Sequence, residues 1–595
     1  VYIRGRCARH NRRRWNSRDR GAAAEQGTVL LMILMSLFAI GLMSMVVAQV
    51  ASTEIAITAN IAASQQTFLP ADGASQVLLR DLINMSRALG RFPTDLELAA
   101  ITAPSFNSVT LGQFTAFADG PVQQTSLADG LYVGFSAEIQ PFRVVATTSK
   151  VGPPASETTV EIQGEFASIP IFQFGVLYEG DLDVYNGPVM TIGGRVHSNT
   201  NMYIDPSASV SFASTLTANG EIYNYHESGS EAGGTVLIKD ATGTDQAMAG
   251  LDSDSPDWTS ESIARWDGRV RSGDTGGDRV DLVIEDPTNP RLIIEAGRTA
   301  DTAADQAAKI WYDAGLRIVN GRGYDQGGNL VSLVDPSTGT DAVQYSTIFD
   351  WREQKYMLAV EVDMAKLSRS PGYPANGLVY MGAFQPDADM PSWPGAGTGV
   401  GPAEWSMFPA PWTSIATEFA FKTRNASQLT GPLTLVTENP LYVQGSFNTV
   451  DKQPAAIMTD ALTILSNNWG DVDGDGTFDD DLTYSLQALN DRAASGTTVN
   501  AAIMTGNVDV GAGYNGGLEN LPRLLERWAG IQLNLLGSLA ALWESEYGNG
   551  TFGKSNVYAA ATRNWSFDTD FLDLTKLPPE TPRIYKITVT GWARH

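Results

Sequence analysis

The sequence predicts an α+β protein with a long N-terminal helix, a small antiparallel β-sheet, and a mainly β head with solenoid-like coils and a mixed insertion. Three observations carry this. Thr28 to Val50 is an uncharged apolar run of 23 residues, and helical patterning continues beyond it. Three runs rich in Val, Phe, Ile and Thr follow between Leu131 and Phe166. From about residue 168, short apolar strands alternate with Gly and Asn, the texture of stacked coils.

The apolar run would span about 34 Å as a helix, enough for a hydrocarbon core of about 30 Å. Before it lie 27 residues with eight Arg and two acids, Asp19 and Glu25. Basic residues stay cytoplasmic, so the chain after Val50 is expected on the far side of the membrane. An ordinary secretory signal is cut after its apolar core. Here the expected cut, between Gly27 and Thr28, precedes that core. Cleavage would remove a basic leader, residues 1–27, and keep the membrane helix. Past Val50 the helical pattern runs through Glu54, Asn60, Gln65 and Gln66 to Ala71-Asp72-Gly73-Ala74, then Val77, Leu78, Leu79, Leu82 and Ile83. Pro70 cannot donate to the helix ladder and is expected to kink or break the helix.

Glu25-Gln26-Gly27-Thr28, the apolar helix, the polar stretch with Asn60 and the small-acid-small step at residues 71–74 together resemble the N-terminus of PilX-type minor pilins, over residues 22 to 90. The resemblance implies a non-enzymatic type IV pilus subunit cut by prepilin peptidase between Gly27 and Thr28. It would wait in the inner membrane through residues 28–50, its C-terminus outside. It would then enter an extracellular filament beside other minor pilins and the major pilin. Most major pilins carry a glutamate at the fifth mature position, where this chain has Met32. In the family that carboxylate pairs with a neighbour's N-terminal ammonium, because an unpaired charge in lipid is expensive. A tip subunit has no such neighbour. Met32 therefore implies a tip or priming subunit in pilus assembly and adhesion, with a tip adhesin among its partners. The 505 residues after Gly90 are also easier to carry once at a filament end than on every subunit. A minor pseudopilin of a type II secretion system shares each of these N-terminal features.

Composition agrees with an extracytoplasmic chain. The net charge is −26, and without the leader's eight bases and two acids it becomes −32. So acidic a surface repels nucleic acid and anionic membranes and favours solubility or cation binding. The one cysteine, Cys7, lies in the leader, so stability must come from a large core and from metal rather than from disulfides.

The expected division is a pilin-like helix over 28–90, a pilin-like β domain over 91–166, a first solenoid-like part over 167–229, a mixed insertion over 230–430, a second solenoid-like part over 431–545 and C-terminal strands over 546–595. In the β domain Pro141 and Gly152-Pro153-Pro154 should separate the strands Leu131 to Gln140, Phe142 to Lys150 and Ser156 to Phe166. In the insertion, Ala303 to Trp311 and Leu358 to Leu367 read as helices, and Val280 to Ile284 and Arg291 to Glu295 as strands. A Gly/Pro-rich loop holds Trp393, Trp405, Phe408 and Trp412, a set able to plug its own domain or to grip a sugar ring or a partner. In the second solenoid part Ala455-Ala456-Ile457-Met458-Thr459 recurs as Ala501-Ala502-Ile503-Met504-Thr505. Identical five-residue runs are expected as equivalent strands of stacked coils.

One motif carries sharp chemistry. Asp471, Asp473, Asp475, Gly476 and Thr477 have the Asp-x-Asp-x-Asp-Gly spacing of a calcium loop, with Asp479 two residues on. Alternating carboxylates aim several hard oxygens at one centre, Gly allows the sharp turn, and the seventh residue offers a carbonyl. Leu482 stands where an EF-hand has its bidentate glutamate, so Asp479, Asp480 or Asp481 would have to substitute. Ca2+ is the expected cofactor, stiffening the loop or gating adhesion. The sequence has no His-Glu-x-x-His, Gly-x-Ser-x-Gly or phosphate-loop signature. Because parallel β-helices also host polysaccharide-active enzymes, a membrane-anchored enzyme of that type stands as an alternative.

Overall fold

The computed structural model describes residues 22–128, 130–280, 289–383, 417–508, 517–551 and 555–595, with the backbone alone at 22–27 and 417. One helix, α1 (Ala22–Leu89), is about 100 Å long at 1.5 Å per residue. Its lower part, from Thr28 to Thr58, is exposed throughout. Its upper part turns Ala63, Thr67, Ala71, Ala74, Leu78 and Leu82 inward, the i, i+4 and i, i+3 spacing of a helix face.

Contrary to the sequence expectation, α1 continues through Pro70. The missing N–H costs a ladder bond, but the helix is clamped from the sheet at this point. Thr148 Oγ1 donates to the Thr67 carbonyl at 2.6 Å, and the Thr67 hydroxyl meets Thr158 Oγ1 at 2.8 Å and Ser156 Oγ at 3.1 Å. Lys150 Nζ reaches Gln66 Oε1 at 2.7 Å. This clamp just before the proline, with buried Ala71 and Ala74 just after it, holds the backbone that local preference would release.

That sheet contains β1 (Thr110–Ala118), β2 (Gln123–Ser126), β3 (Ser136–Lys150) and β4 (Ser156–Pro170). Phe142, Val144, Ile162 and Phe166 pack against Leu78, Leu79 and Leu82 of α1. Pro141 does not divide β3. It lies where β1 has ended opposite Phe142 and β2 has not begun opposite Ile139, so its absent N–H breaks no ladder bond. Leu131 and Tyr132 belong to a 3-10 turn before β3 rather than to a strand. The fourth strand of the order β1-β3-β4 is Arg583–Arg594, from the far end of the chain. Pro170 and Arg583 are register partners. Everything between them is thus inserted into one antiparallel strand pair of the stalk domain, and residues 546–595 are not a unit of their own.

The inserted head is a stack of parallel rungs. Its first coils are β5 (Val176–Tyr178), β6 (Leu182–Val184), β7 (Met190–Ile192), β8 (Val196–Ser198), β9 (Met202–Ile204), β10 (Ser209–Phe212), β11 (Leu216–Ala218) and β12 (Ile222–Tyr223). β5, β8 and β11 stack in parallel register, as do β6, β9 and β12, and β7 and β10, each residue on one 20 positions later. Leu316–Val319, Leu378–Gly382, Leu433–Thr437, Ala455–Thr459, Thr497–Asn507 and Gln532–Glu544 form a second parallel stack. Lys355–Asp363, Thr417–Arg424, Leu441–Gln444, Leu462–Leu465 and Pro522–Leu524 form its other wall.

The two stacks join end to end, because Gln532–Glu544 pairs with β5 and Thr562–Phe567 bridges it to β7. The chain therefore starts coiling in the middle of the head and builds outward to residue 271. It restarts at the opposite end near residue 316 and builds back to the middle. This path returns the chain to the stalk beside the strand from which it left.

The duplicated pentapeptides lie directly on one another: Ala456 opposite Ala502, Ile457 opposite Ile503, Met458 opposite Met504. Ile457 and Ile503 face the lumen of the coil, while Met458 and Met504 face a second apolar layer shared with Phe135, Ile169, Phe172 and Trp311. Identical sequence answers identical surroundings on each side of the wall.

The insertion over 230–430 is not separate, since six of its described strands are rungs of the two stacks. Leu358 to Leu367 is strand as far as Asp363 and then one helical turn, Met364–Leu367. Strands pair on both sides of it, Val343–Asp350 antiparallel and Thr417–Arg424 parallel, and this pairing overrides its helical preference. Arg291 to Glu295 is a 3-10 segment, Pro290–Ile294, started by the proline and fixed by buried Arg291 on Asp460 at 3.2 Å. Ala303 to Trp311 is a short helix, Ala303–Ala308, then a 3-10 turn. The leader up to Gly21, the strand past Val280, and Trp393, Trp405, Phe408 and Trp412 lie outside the described residues.

Candidate functional site

Two places concentrate the residues singled out in the sequence. At the foot of α1, Gly27 and Thr28 lie in the continuous helix, and Met32 is 68% exposed among equally exposed apolar neighbours. The helix is long and apolar enough to cross a membrane, and its apolar stretch is not buried in the fold. The apolar side chains from Val29 to Val50 are exposed rather than packed in the protein's own core, a surface that suits lipid or another chain.

The acidic loop lies between the rung Leu462–Leu465 and a short helix, Asp481–Leu486. Asp471, Asp473 and Asp479 each bring an oxygen within 4.8 Å of the others. Asp471 Oδ1 accepts from Gly474 N at 2.7 Å and Asp475 N at 3.1 Å, and its Oδ2 accepts from Gly476 N at 2.9 Å. Asp479 Oδ2 accepts from Val472 N at 2.9 Å. Gly474 and Gly476 have φ of 81° and 87°, in the left-handed region where a side chain is strained. The loop thus curls around its own first carboxylate.

Asp475 stands apart from that group. Its Oδ1 accepts from Thr477 N at 2.8 Å and Thr477 Oγ1 at 2.5 Å, which holds its carboxyl below the usual carboxylate range. Asp480 is committed as a helix cap on Thr483 N at 2.7 Å. Asp481 is buried, with Lys422 Nζ at 2.7 Å and Trp469 Nε1 at 2.6 Å. Of the acids considered as substitutes at the position of Leu482, only Asp479 faces the group. Three carboxylates and the surrounding loop oxygens are a donor set of the hard-oxygen type that calcium takes.

Beneath the loop is a charge cluster that sequence reasoning missed. Lys422 Nζ lies 2.8 Å from Glu361 and 2.7 Å from Asp481, all three fully buried, and Arg424 Nε is 2.6 Å from Glu361. Phe478 of the loop lies over both cations, 4.8 Å from Lys422 Nζ and 5.3 Å from Arg424. The available signal was a Lys and a Glu in the middle of two apolar strands, which prove to be register partners. A second buried acidic set joins the two solenoid stacks. Tyr185 donates its hydroxyl to Asp183 Oδ1 at 2.6 Å and its N–H to Glu519 Oε2 at 3.2 Å, and its ring stacks on His226 at 4.0 Å. Burial pushes Asp183 up to about 8 and Glu519 up to about 7.

No family model matches this sequence, and no curated protein matches it significantly. Among solved structures the chain is similar to the competence-associated pilin ComZ from Thermus thermophilus, at 11% identity over 90% of this chain and 97% of that one. The TM-score is 0.19, and a superposition that loose carries no argument about fold or function.

Proposed function

We propose that this chain is a PilX-type minor pilin, a tip or priming subunit of a type IV pilus that acts in assembly and adhesion rather than in turnover. One observation carries the reading. α1 is continuous, its upper half packed on the stalk sheet and its lower half bare and apolar from Thr28 onward. A helix built this way can sit first in lipid and then among the helices of a filament. Prepilin peptidase would cut between Gly27 and Thr28. Met32, apolar where a major pilin has its glutamate, suits a subunit that follows no other. The head, carried once at the filament end, would meet a surface, a partner cell or a tip adhesin.

Calcium belongs to the same proposal. Asp471, Asp473 and Asp479 would hold it, and Asp475 would keep the loop turned through Thr477. Bound there, the ion would neutralise three mutually repelling carboxylates and stiffen the loop above the Lys422 cluster. The deciding experiment is the mature N-terminus, by mass spectrometry of protein from sheared surface filaments and from membranes. A filament form beginning at Thr28 is expected. An intact leader confined to the membrane fraction would sink the pilin reading.

A further inference from the structure

Three arginines share one outer face of the first stack. Val196, Leu216 and Val270, on successive rungs, point into the lumen. By alternation, the residues on either side of each point outward. One outward column is Arg195, Thr215 and Arg269, stacked through Val196 N on the Thr215 carbonyl at 2.9 Å and Leu216 N on the Arg269 carbonyl at 3.0 Å. The next column is His197, Thr217 and Arg271. Burial, and then the charges of Arg271 and Arg269, push the Arg195 guanidinium below its usual range. Among the described residues none of the three forms a salt bridge. Arg195 is held by neutral groups, donating to the carbonyls of Leu131 at 3.3 Å and of Val133 and lying 4.6 Å from the centre of the Phe135 ring. Arg269 Nη1 donates to the Asp240 carbonyl at 2.5 Å. Arg271 has a buried Nε without a partner. The side chain of Asp240 is taken by Thr242 and Gln246, that of Asp267 accepts from Ala241 N, and exposed Asp278 lies towards His197.

We propose that Arg195, Arg269 and Arg271 bind a tetrahedral oxyanion, phosphate or sulfate, free or as a monoester. In a chain with 66 acids and 40 bases, arginines have carboxylates in plenty to pair with, yet these three face one another. Rungs are about 4.8 Å apart, so like charges so placed repel unless an anion lies between them. Carbonyls orient Arg195 and Arg269 without neutralising them, which leaves their charge for a ligand. A dianion offsets three positive charges better than a single carboxylate does, and the planar guanidinium fork matches its oxygens. His197 adds no charge, because burial pushes it down to about 4 while Thr217 and Asn199 hold its ring. A long polyanion would meet the acidic surface beyond the cluster and be repelled, so the ligand presents one compact anionic group. The inference concerns what the head binds and does not rest on filament membership, because binding is read on the isolated chain.

The test titrates the full chain in neutral detergent, at neutral pH and low salt, with inorganic phosphate and with sulfate by calorimetry. Acetate serves for comparison and glucose 6-phosphate as the monoester. Phosphate or sulfate is expected to saturate, and acetate to bind at least about tenfold more weakly. Arg269→Gln and Arg271→Gln should each weaken phosphate or sulfate binding by at least about tenfold, and Arg269→Lys by less because it keeps the charge. Each Gln variant relieves like-charge repulsion and is expected to stay folded without anion, as near-ultraviolet circular dichroism reads. Arg80→Gln, which removes an exposed cation of α1, should bind as the parent does. Competition by glucose 6-phosphate identifies the ligand as a monoester, and binding of the free ion alone identifies it as the ion. The proposal is overturned if neither phosphate nor sulfate saturates by about 10 mM, or if acetate binds as tightly. It is equally overturned if folded Arg269→Gln and Arg271→Gln bind as the parent does, or if Arg80→Gln weakens binding as much as they do.

Discussion

Replacing Lys422 by Met is the sharpest probe of the head. The cluster is electrically balanced, with Lys422 and Arg424 against Glu361 and Asp481, and all but Arg424 are fully buried. Lys422→Met keeps most of the volume and removes one positive charge. Glu361 still has Arg424. Asp481 is left with the indole N–H of Trp469 at 2.6 Å as its remaining buried side-chain donor. Removing one partner of a buried pair costs about 3–5 kcal/mol, because the other charge stays desolvated without compensation. Asp481→Asn should cost less, since Lys422 keeps Glu361 and the surplus positive charge sits near Arg424, whose side chain is 21% exposed. The double variant Lys422→Met, Asp481→Asn should recover roughly half of the larger loss, a coupling of about 1.5–2.5 kcal/mol. Guanidinium unfolding of the four proteins, followed by near-ultraviolet circular dichroism, closes the cycle. If Lys422→Met costs under about 1 kcal/mol, or if the two single losses simply add, the cluster does not hold the head as argued.

Three further outcomes are expected. Asp183 and Glu519 have folded values raised to about 8 and about 7, above ordinary carboxyl values near 4. Their contribution to stability is therefore fully present below about pH 4 and is lost as pH rises to about 8. Asp183→Asn should flatten that decline in unfolding free energy by a few kcal/mol between pH 4.5 and 8.5, and an unchanged slope would exclude Asp183 as its source. Calcium should raise the melting temperature of the full chain, and Asp471→Asn with Asp473→Asn should abolish the rise, while magnesium should do little. Ile457→Ala and Ile503→Ala should each cost about 2–5 kcal/mol, and the pair should depart from additivity because the two side chains neighbour one another across adjacent rungs.

Much of the stalk was legible because it rests on local pattern. Thr28 to Val50 announces its helix by composition, and Ser156 to Phe166 its strand by its Val, Ile, Phe and Thr content after the Gly152-Pro153-Pro154 turn. The pentapeptide at 455 and 501 pointed to stacked coils because two equivalent surroundings selected the same residues. What could not be read depends on partners distant in the chain. Leu358 to Leu367 looks helical until strands at 343 and 417 bracket it. Pro70 looks like a break until hydroxyls from 148, 156 and 158 close on Thr67 just before it. Arg583–Arg594 gives no sign that its neighbour is β4. The 20-residue period from Val176 to Tyr223 was present as a signal, and its alternating Tyr203 and Tyr223, stacked at 5.0 Å, could have revealed it. In the acidic loop spacing located the residues, yet it could not tell that Asp475 serves Thr477 or that Asp481 serves Lys422.

The insertion of the head between Pro170 and Arg583 has a mechanical consequence. If the chain is the end subunit of a filament, as proposed, a pull along the helix axis would enter the head through two adjacent strands at once. β4 is laced to β3 along its whole length on one side and to Arg583–Arg594 on the other. Traction along the strands therefore shears many ladder bonds together instead of unzipping them singly. With the outgoing and returning segments sharing the load, neither is a lone tether, and the head is anchored as a hook is by both legs of its shank.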